Sequence, residues 1–130
     1  MNKIINKIKQ DPYANYLGIK PEEVTPGCAR CSIHITNNML NFAGIPHGGL
    51  IFSLADVAFS AAACSIYMPS VGIHISGNFF KPAKVGDILI SEAKLVRSTR
   101  KFGNFDIHVK KDDDLIASFN GTAFKIYENL

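Results

Sequence analysis

Between Leu50 and Cys64 the chain reads LIFSLADVAFSAAAC, an apolar run whose only charged side chain is Asp56. Drawn as a helix, the run is apolar on most sides, so it cannot lie on a surface with half its circumference in water. It predicts a long helix from His47 to Cys64, closed by Met68-Pro69, that other elements must wrap. The run is also shorter than the roughly 20 apolar residues that cross a bilayer, and Asp56 interrupts it. A sheet is the expected wrapping, and the rest of the chain supplies the strands.

Phe105, Ile107 and Val109 alternate with Asp106, His108 and Lys110, the period of a half-buried strand. Residues 71–80, 87–96 and 115–126 read as three more strands, and Cys28 to Ile35 as an earlier one. Pro82-Ala83, Val85-Gly86 and Asp112-Asp113-Asp114 mark turns between them. Upstream, Ile4, Ile5 and Ile8 share one face of a short helix that stops near Asp11-Pro12, and a further helical turn over residues 13–17 ends at Gly18. Pro21 to Gly27 reads as loop, and Thr36 to Pro46 as an irregular crossing segment. Helix, strand, long helix and then four strands predict an α+β arrangement, an antiparallel sheet with helices on one face. At 130 residues the chain is expected to form one domain, 1–130, on which the helical segment 1–17 packs.

Composition narrows the function. The net charge of +3 is spread without a Lys/Arg block or interleaved aromatics, so no nucleic-acid surface is expected. Three cysteines cannot all pair within the chain, which suits a reducing compartment. The start, MNKIINKIKQDPY, lacks the apolar core of a secretory signal, so a soluble cytoplasmic protein without membrane attachment is expected. Cys28 and Cys31 form a CxxC, but residues three apart on a strand point to opposite faces. No second CxxC or paired histidine completes a metal set, and no cofactor is expected.

Within the long segment, Ser53, Asp56 and Ser60 fall on one stripe of the helix. Two accounts stand level on the segment alone: the solvated side of an amphipathic helix, or an acid held where its charge is costly. Crowding by Phe52, Leu54, Val57 and Phe59 tilts the balance towards the second. Just upstream, His47-Gly48-Gly49 leaves uncovered N–H groups at a helix start, where Gly48 or Gly49 is able to hold an oxyanion. Asn41 both donates and accepts hydrogen bonds, so it suits orienting a carbonyl or a water; by itself it reads as a turn residue. Gly48 and Asp56 are eight positions apart, about 12 Å of helical rise. One carbonyl must lie within about 3 Å of both donor and attacking group. One chain does not easily supply both, whereas two antiparallel helices do. A two-fold homodimer with two shared sites is therefore expected.

The pattern Asn41-x-x-Gly44-x-x-His47-Gly48-Gly49, followed by Phe52-x-Leu54-Ala55-Asp56-x-Ala58-Phe59, closely resembles the hotdog-fold acyl-CoA thioesterases, in particular the phenylacetic-acid-degradation type. Gly27-Cys28-Ala29-Arg30, Phe79-Phe80-Lys81-Pro82-Ala83 with Gly86-Asp87, and Gly121-Thr122-Ala123-Phe124 extend the likeness over residues 13 to 127. The resemblance implies a curved antiparallel sheet of about five to six strands around a central helix, in dimers that often pair into tetramers. It implies Asp56 as nucleophile or as general base on water, the Gly48 N–H on the thioester carbonyl, and Asn41 positioning that carbonyl or the water. His47, Gly49, Phe52, Ser53 and Phe59 would line the substrate. CoA phosphates need cations, for which Arg97, Arg100 and Lys101 are candidates beside the reading as a solvated basic turn.

There is one departure. Many relatives carry Ser or Thr where this chain has Gly72, ten residues before Pro82, and that hydroxyl helps to hold the attacking water. Ser70, His74 and Ser76 are nearby but out of register. Beside the leading expectation, an acyl-CoA thioesterase, stands a hotdog module that binds acyl-CoA or another ligand without turnover. A hydratase of the same fold is disfavoured by the intact Gly-Gly-to-Asp56 spacing.

Overall fold

The computed structural model describes residues 2–126; Met1 and residues 127–130, the outer ends of the expected 1–130 domain, lie outside the described residues. The chain runs α1 (Asn2–Lys9), α2 (Pro12–Leu17), β1 (Lys20–Thr25), β2 (Cys28–His34), a 3₁₀ turn (Asn37–Met39), α3 (Gly48–Cys64), β3 (Ser70–Phe79), β4 (Ile88–Ser98), β5 (Phe102–Lys111) and β6 (Asp114–Lys125). All strand pairs are antiparallel and make one six-stranded sheet in the order β1-β2-β4-β5-β6-β3. This is the α+β, hotdog-type arrangement: α3 is the central helix and touches every strand of the sheet. Among the described residues, no helix is long and apolar enough to cross a membrane.

The expected strands and long helix appear within a few residues of their predicted ends. One segment does not: Pro21 to Gly27, read as loop, contains strand β1. Its KPEEVT sequence buries only Val24 fully, so the two-residue period is hidden behind glutamates and a proline. β1 pairs with β2 alone and carries Pro21 at the sheet edge, where a missing N–H costs no ladder bond. A second feature was not readable. β3 is joined to β4 in sequence but pairs with β6, and so becomes the other edge.

The core sits between α3 and the inner face of the sheet. Leu54, Ala55, Ala58, Ala61 and Ala62 of α3 meet Leu89, Ala93, Phe105, Ile107, Val109 and Ala117, all buried. The small alanine stripe lets the strands approach the helix closely. Ser91 is buried in this apolar layer and donates its hydroxyl to the Leu54 carbonyl at 2.9 Å, so its polarity is satisfied. Cys31 is also fully buried, and its thiol is pushed up to about 12 by burial and by the charge of Glu22.

Phe59 keys the helix to the edge of the sheet. Its ring lies over Gly121 of β6 and Gly72 of β3 and meets Phe105 edge-on at 5.6 Å. A Cβ at Gly121 would fall 2.9–3.0 Å from three Phe59 ring atoms, and one at Gly72 2.9 Å from Cε2. Gly121→Ala should therefore destabilise the fold by about 1–3 kcal/mol through overpacking. Adding Phe59→Leu should recover part of that loss, measured as a double-mutant cycle in urea unfolding.

Candidate active site

The N-terminus of α3 is capped by its own turn. His47 takes an extended conformation, and its Nδ1 accepts the Gly49 N–H at 3.1 Å. The neutral ring therefore carries its proton on Nε2. This bond uses the Gly49 amide and resolves which of the two glycines keeps a free donor. Gly48 N–H, the first of the helix, has no acceptor among the described residues. Gly48 lines a groove of about 240 Å³ with Ile45, Ile51, Phe79, Phe80 and Pro82.

Asn41 builds the loop that presents this turn. Its side-chain oxygen accepts from the N–H groups of Ala43 at 2.9 Å and Ile45 at 3.1 Å. The backbone closes the same loop through Asn41 N–H to the Ile45 carbonyl at 2.7 Å and Gly44 N–H to the Asn41 carbonyl at 3.0 Å. His47 N–H then reaches the Met39 carbonyl at 2.8 Å. The oxygen of Asn41 is thus committed to structure, while its side-chain NH₂ has no acceptor among the described residues and remains able to donate.

Asp56 lies two turns further along α3 on the solvent-exposed stripe, with Ser53 and Ser60 on either side. It lines a depression of about 290 Å³ together with Ser60, Cys64, Ser70 and Gly72, with Phe59 at its floor. No hydrogen-bond or ion-pair partner serves its carboxylate among the described residues. Surrounding protein removes enough water to raise its pKa above the ordinary 3.8, and the charge of Asp11 raises it further. Asp11 is the N-cap of α2, accepting the Ala14 N–H at 3.0 Å. α2 is also tied to the stripe through Tyr13, whose hydroxyl is 3.1 Å from that of Ser53; Ser53 in turn donates to the Gly49 carbonyl at 2.8 Å. Sequence reasoning missed Asp11 and Tyr13. The Asp-Pro pair signalled a helix boundary, but nothing in the spacing showed that this boundary would face α3.

The remaining candidates divide by place. Phe52 is half-buried and meets Phe119 edge-on at 5.7 Å, and Phe59 is almost wholly in the core. Arg97, Arg100 and Lys101 are exposed at the β4–β5 turn. That turn is held beside the end of α3 by Tyr67, whose hydroxyl donates to the carbonyls of Thr99 at 2.7 Å and Phe102 at 2.6 Å. Within one chain the cations and Gly48 thus stand at opposite ends of α3, on the order of 24 Å apart along its axis. The structure gathers Asn41, His47, Gly48 and Gly49 at one end and sets Asp56 and Ser53 along the stripe.

The chain is similar to several known proteins in sequence and fold. Residues 43–118 match the family model described as "Thioesterase superfamily". A putative esterase of Archaeoglobus fulgidus is 31% identical over 98% of this chain and 87% of its own length. The acyl-coenzyme A thioesterase PaaI of Escherichia coli is 32% identical over 91% of this chain and 85% of its own. The structure of the E. coli PaaI protein superposes with a TM-score of 0.89 at 30% identity, covering 93% of this chain and 88% of that one.

The raised pKa of Asp56 has a consequence for stability. Its neutral form is favoured by folding at pH below 3.8, and that advantage is lost as pH rises through its higher folded value. At neutral pH the ionised group is therefore a net cost. Asp56→Asn should raise the unfolding temperature at pH 7, and the gain should shrink as the pH is taken below 3.8, followed by circular dichroism across a pH series.

Proposed function

The chain belongs to the thioesterase superfamily, and from that footing we propose that it hydrolyses an acyl-CoA or aryl-CoA thioester to the free acid and CoA, as a single catalytic domain working in a homodimer. The observation that carries this reading is the pairing, on one helix, of an unused Gly48 N–H with an unpartnered Asp56 that is open to solvent yet partly desolvated by the protein around it. Their separation of about 12 Å along α3 asks for a second copy.

The edge of the sheet supplies a means. β3 carries Val71 at 43% exposure, Ile73 at 55% and Phe79 at 53%, an unpaired apolar edge suited to continuing the sheet into a partner. Two β3 strands paired antiparallel about a two-fold axis would run the α3 helices antiparallel as well. The Gly48 groove lies at the Phe79 end of β3 and the Asp56 depression at the Gly72 end. A two-fold would therefore set each groove against the other copy's depression. It would also carry the Arg97, Arg100 and Lys101 turn of one chain towards its partner's helix start, where CoA phosphates would find it. A dimer of dimers is compatible with this and adds nothing to the chemistry.

In this reading Asp56 takes a proton from water as the water oxygen bonds to the thioester carbon. The carbonyl oxygen becomes negative and accepts the N–H of Gly48 of the partner subunit. The C–S bond then breaks, and the proton held by Asp56 passes to the sulfur, leaving the acid and the free thiol. The NH₂ of Asn41 positions the acyl carbonyl, and His47, Gly49, Phe52, Ser53 and Phe59 shape the surface beside it.

Release of free thiol from a panel of short, long and aryl acyl-CoAs tests this. Asp56→Asn should lower kcat by about 10²–10⁴, and Gly48→Pro, which removes the donor, by about 10²–10³. Mixing the two inactive variants should restore one working site per hybrid dimer; hybrids that form and stay inactive would remove the cross-chain site. A single turnover in ¹⁸O-water should label the product acid. Unlabelled acid in that first turnover would make Asp56 a nucleophile. Tight binding of acyl-CoA by wild type without thiol release would leave a ligand-binding module.

A further inference from the structure

A second hollow adjoins the start of α3. At about 350 Å³ it lies at the lower end of the range of small-molecule sites, about 300–1,000 Å³. Tyr13, Tyr16 and Leu17 of α2 form one wall, and Met39, Leu40 and Leu50 the other. It shares no lining residue with the Gly48 groove or with the Asp56 depression.

Two further polar side chains line it, and both have spent their acceptors. His47 accepts the Gly49 N–H on Nδ1 at 3.1 Å, so its neutral ring brings only an Nε2–H to the hollow. Asn38 accepts the Thr36 hydroxyl through its side-chain oxygen, which leaves its NH₂. Neither of these N–H groups has an acceptor among the described residues. The sulfur of Met39 is used as well, accepting the Thr36 N–H at 3.4 Å. Ser53 has one proton and donates it to the Gly49 carbonyl, so Tyr13 is the donor in the 3.1 Å contact with Ser53. The hollow thus joins apolar walls to free donors, and its complement is an apolar molecule that ends in an acceptor.

A carboxylate meets that description, since both of its oxygens accept and two N–H donors address them. Asn38 and His47 are exposed, so the carboxylate keeps part of its water and its charge is not stranded. An ammonium end would set donors against donors. We propose that this hollow binds a small monocarboxylic acid, its apolar tail between the two walls and its carboxylate on the His47 Nε2–H and the Asn38 NH₂. The thioesterase reading enters only as the source of the ligand, because hydrolysis releases such an acid. His47 belongs to both places: one ring nitrogen caps Gly49 and the other holds the acid. A bound acid therefore acts on the helix start, lowering kcat without competing with acyl-CoA.

Calorimetric titration of the wild type with hexanoate, 3-phenylpropanoate and hexylamine tests this. Both acids should bind with a Kd on the order of 1 mM, the range of ligands this small, and the amine should not bind. Asn38→Asp keeps one oxygen for Thr36 and turns the other towards the hollow. It should weaken acid binding about tenfold or more while thiol release stays at the wild-type rate. Tyr16→Ala, at a position 85% exposed and so tolerant of truncation, should weaken it about threefold. Hexanoate should lower kcat for acyl-CoA and leave KM unchanged. Equal binding of hexylamine, or a folded Asn38→Asp variant that binds the acids as tightly as wild type, would overturn the site. Inhibition that raises KM alone would merge the hollow with the place where the thioester reacts and overturn its separateness. Wild type that binds hexanoate through Asn38 yet releases no thiol from any acyl-CoA would sink the thioesterase reading and leave the acid site standing.

Discussion

The ring of Phe59, lodged over Gly121 and Gly72, is the contact on which the architecture turns. α3 must be buried on most of its circumference, and burial on that scale requires strands to reach it from both ends of the sheet. β3 gains its place at the end of the sheet by pairing with β6, and the absence of side chains at Gly72 and Gly121 lets both strands close over the ring. The same contact sets the floor of the depression beside Asp56. Packing and chemistry therefore share one residue: a change that alters how Phe59 sits changes both the sheet edge and the space in front of the carboxylate.

The site is built from what the fold leaves unsatisfied. A helix start always exposes N–H groups. Here His47 uses the Gly49 amide and leaves that of Gly48. The Asn41 oxygen is consumed in holding the loop, which frees its NH₂ in a fixed position. Asp56 has no cation beside it among the described residues; partial burial first, and the charge of Asp11 second, raise its proton affinity.

Much of this was legible before the structure. The alternation through Phe105, Ile107 and Val109 reads directly as a strand because inward positions are apolar and outward ones polar. The His-Gly-Gly turn and Asp56 stand out because they interrupt apolar sequence. β1 was hidden, since an edge strand with one buried residue has no periodicity to detect. The choice between Gly48 and Gly49 was hidden too, because it depends on where the His47 ring turns. Gly72 read as a missing hydroxyl; the structure shows a position already filled by Phe59.

Local order thus followed largely from the amino-acid sequence itself: where the long helix and all strands but β1 lie, that the long helix must be enclosed, and which residues are candidates for chemistry. These depend on the nature and spacing of neighbours along the chain, and spacing is what a sequence records. Tertiary structure alone decided that β3 would cross to β6 instead of pairing with β4. It also decided that α2 would bring Asp11 and Tyr13 against the acid stripe, and that Phe59 would take the space beside Gly72. Those outcomes come from contacts between residues far apart in the chain, chosen by how volumes fit around one buried helix.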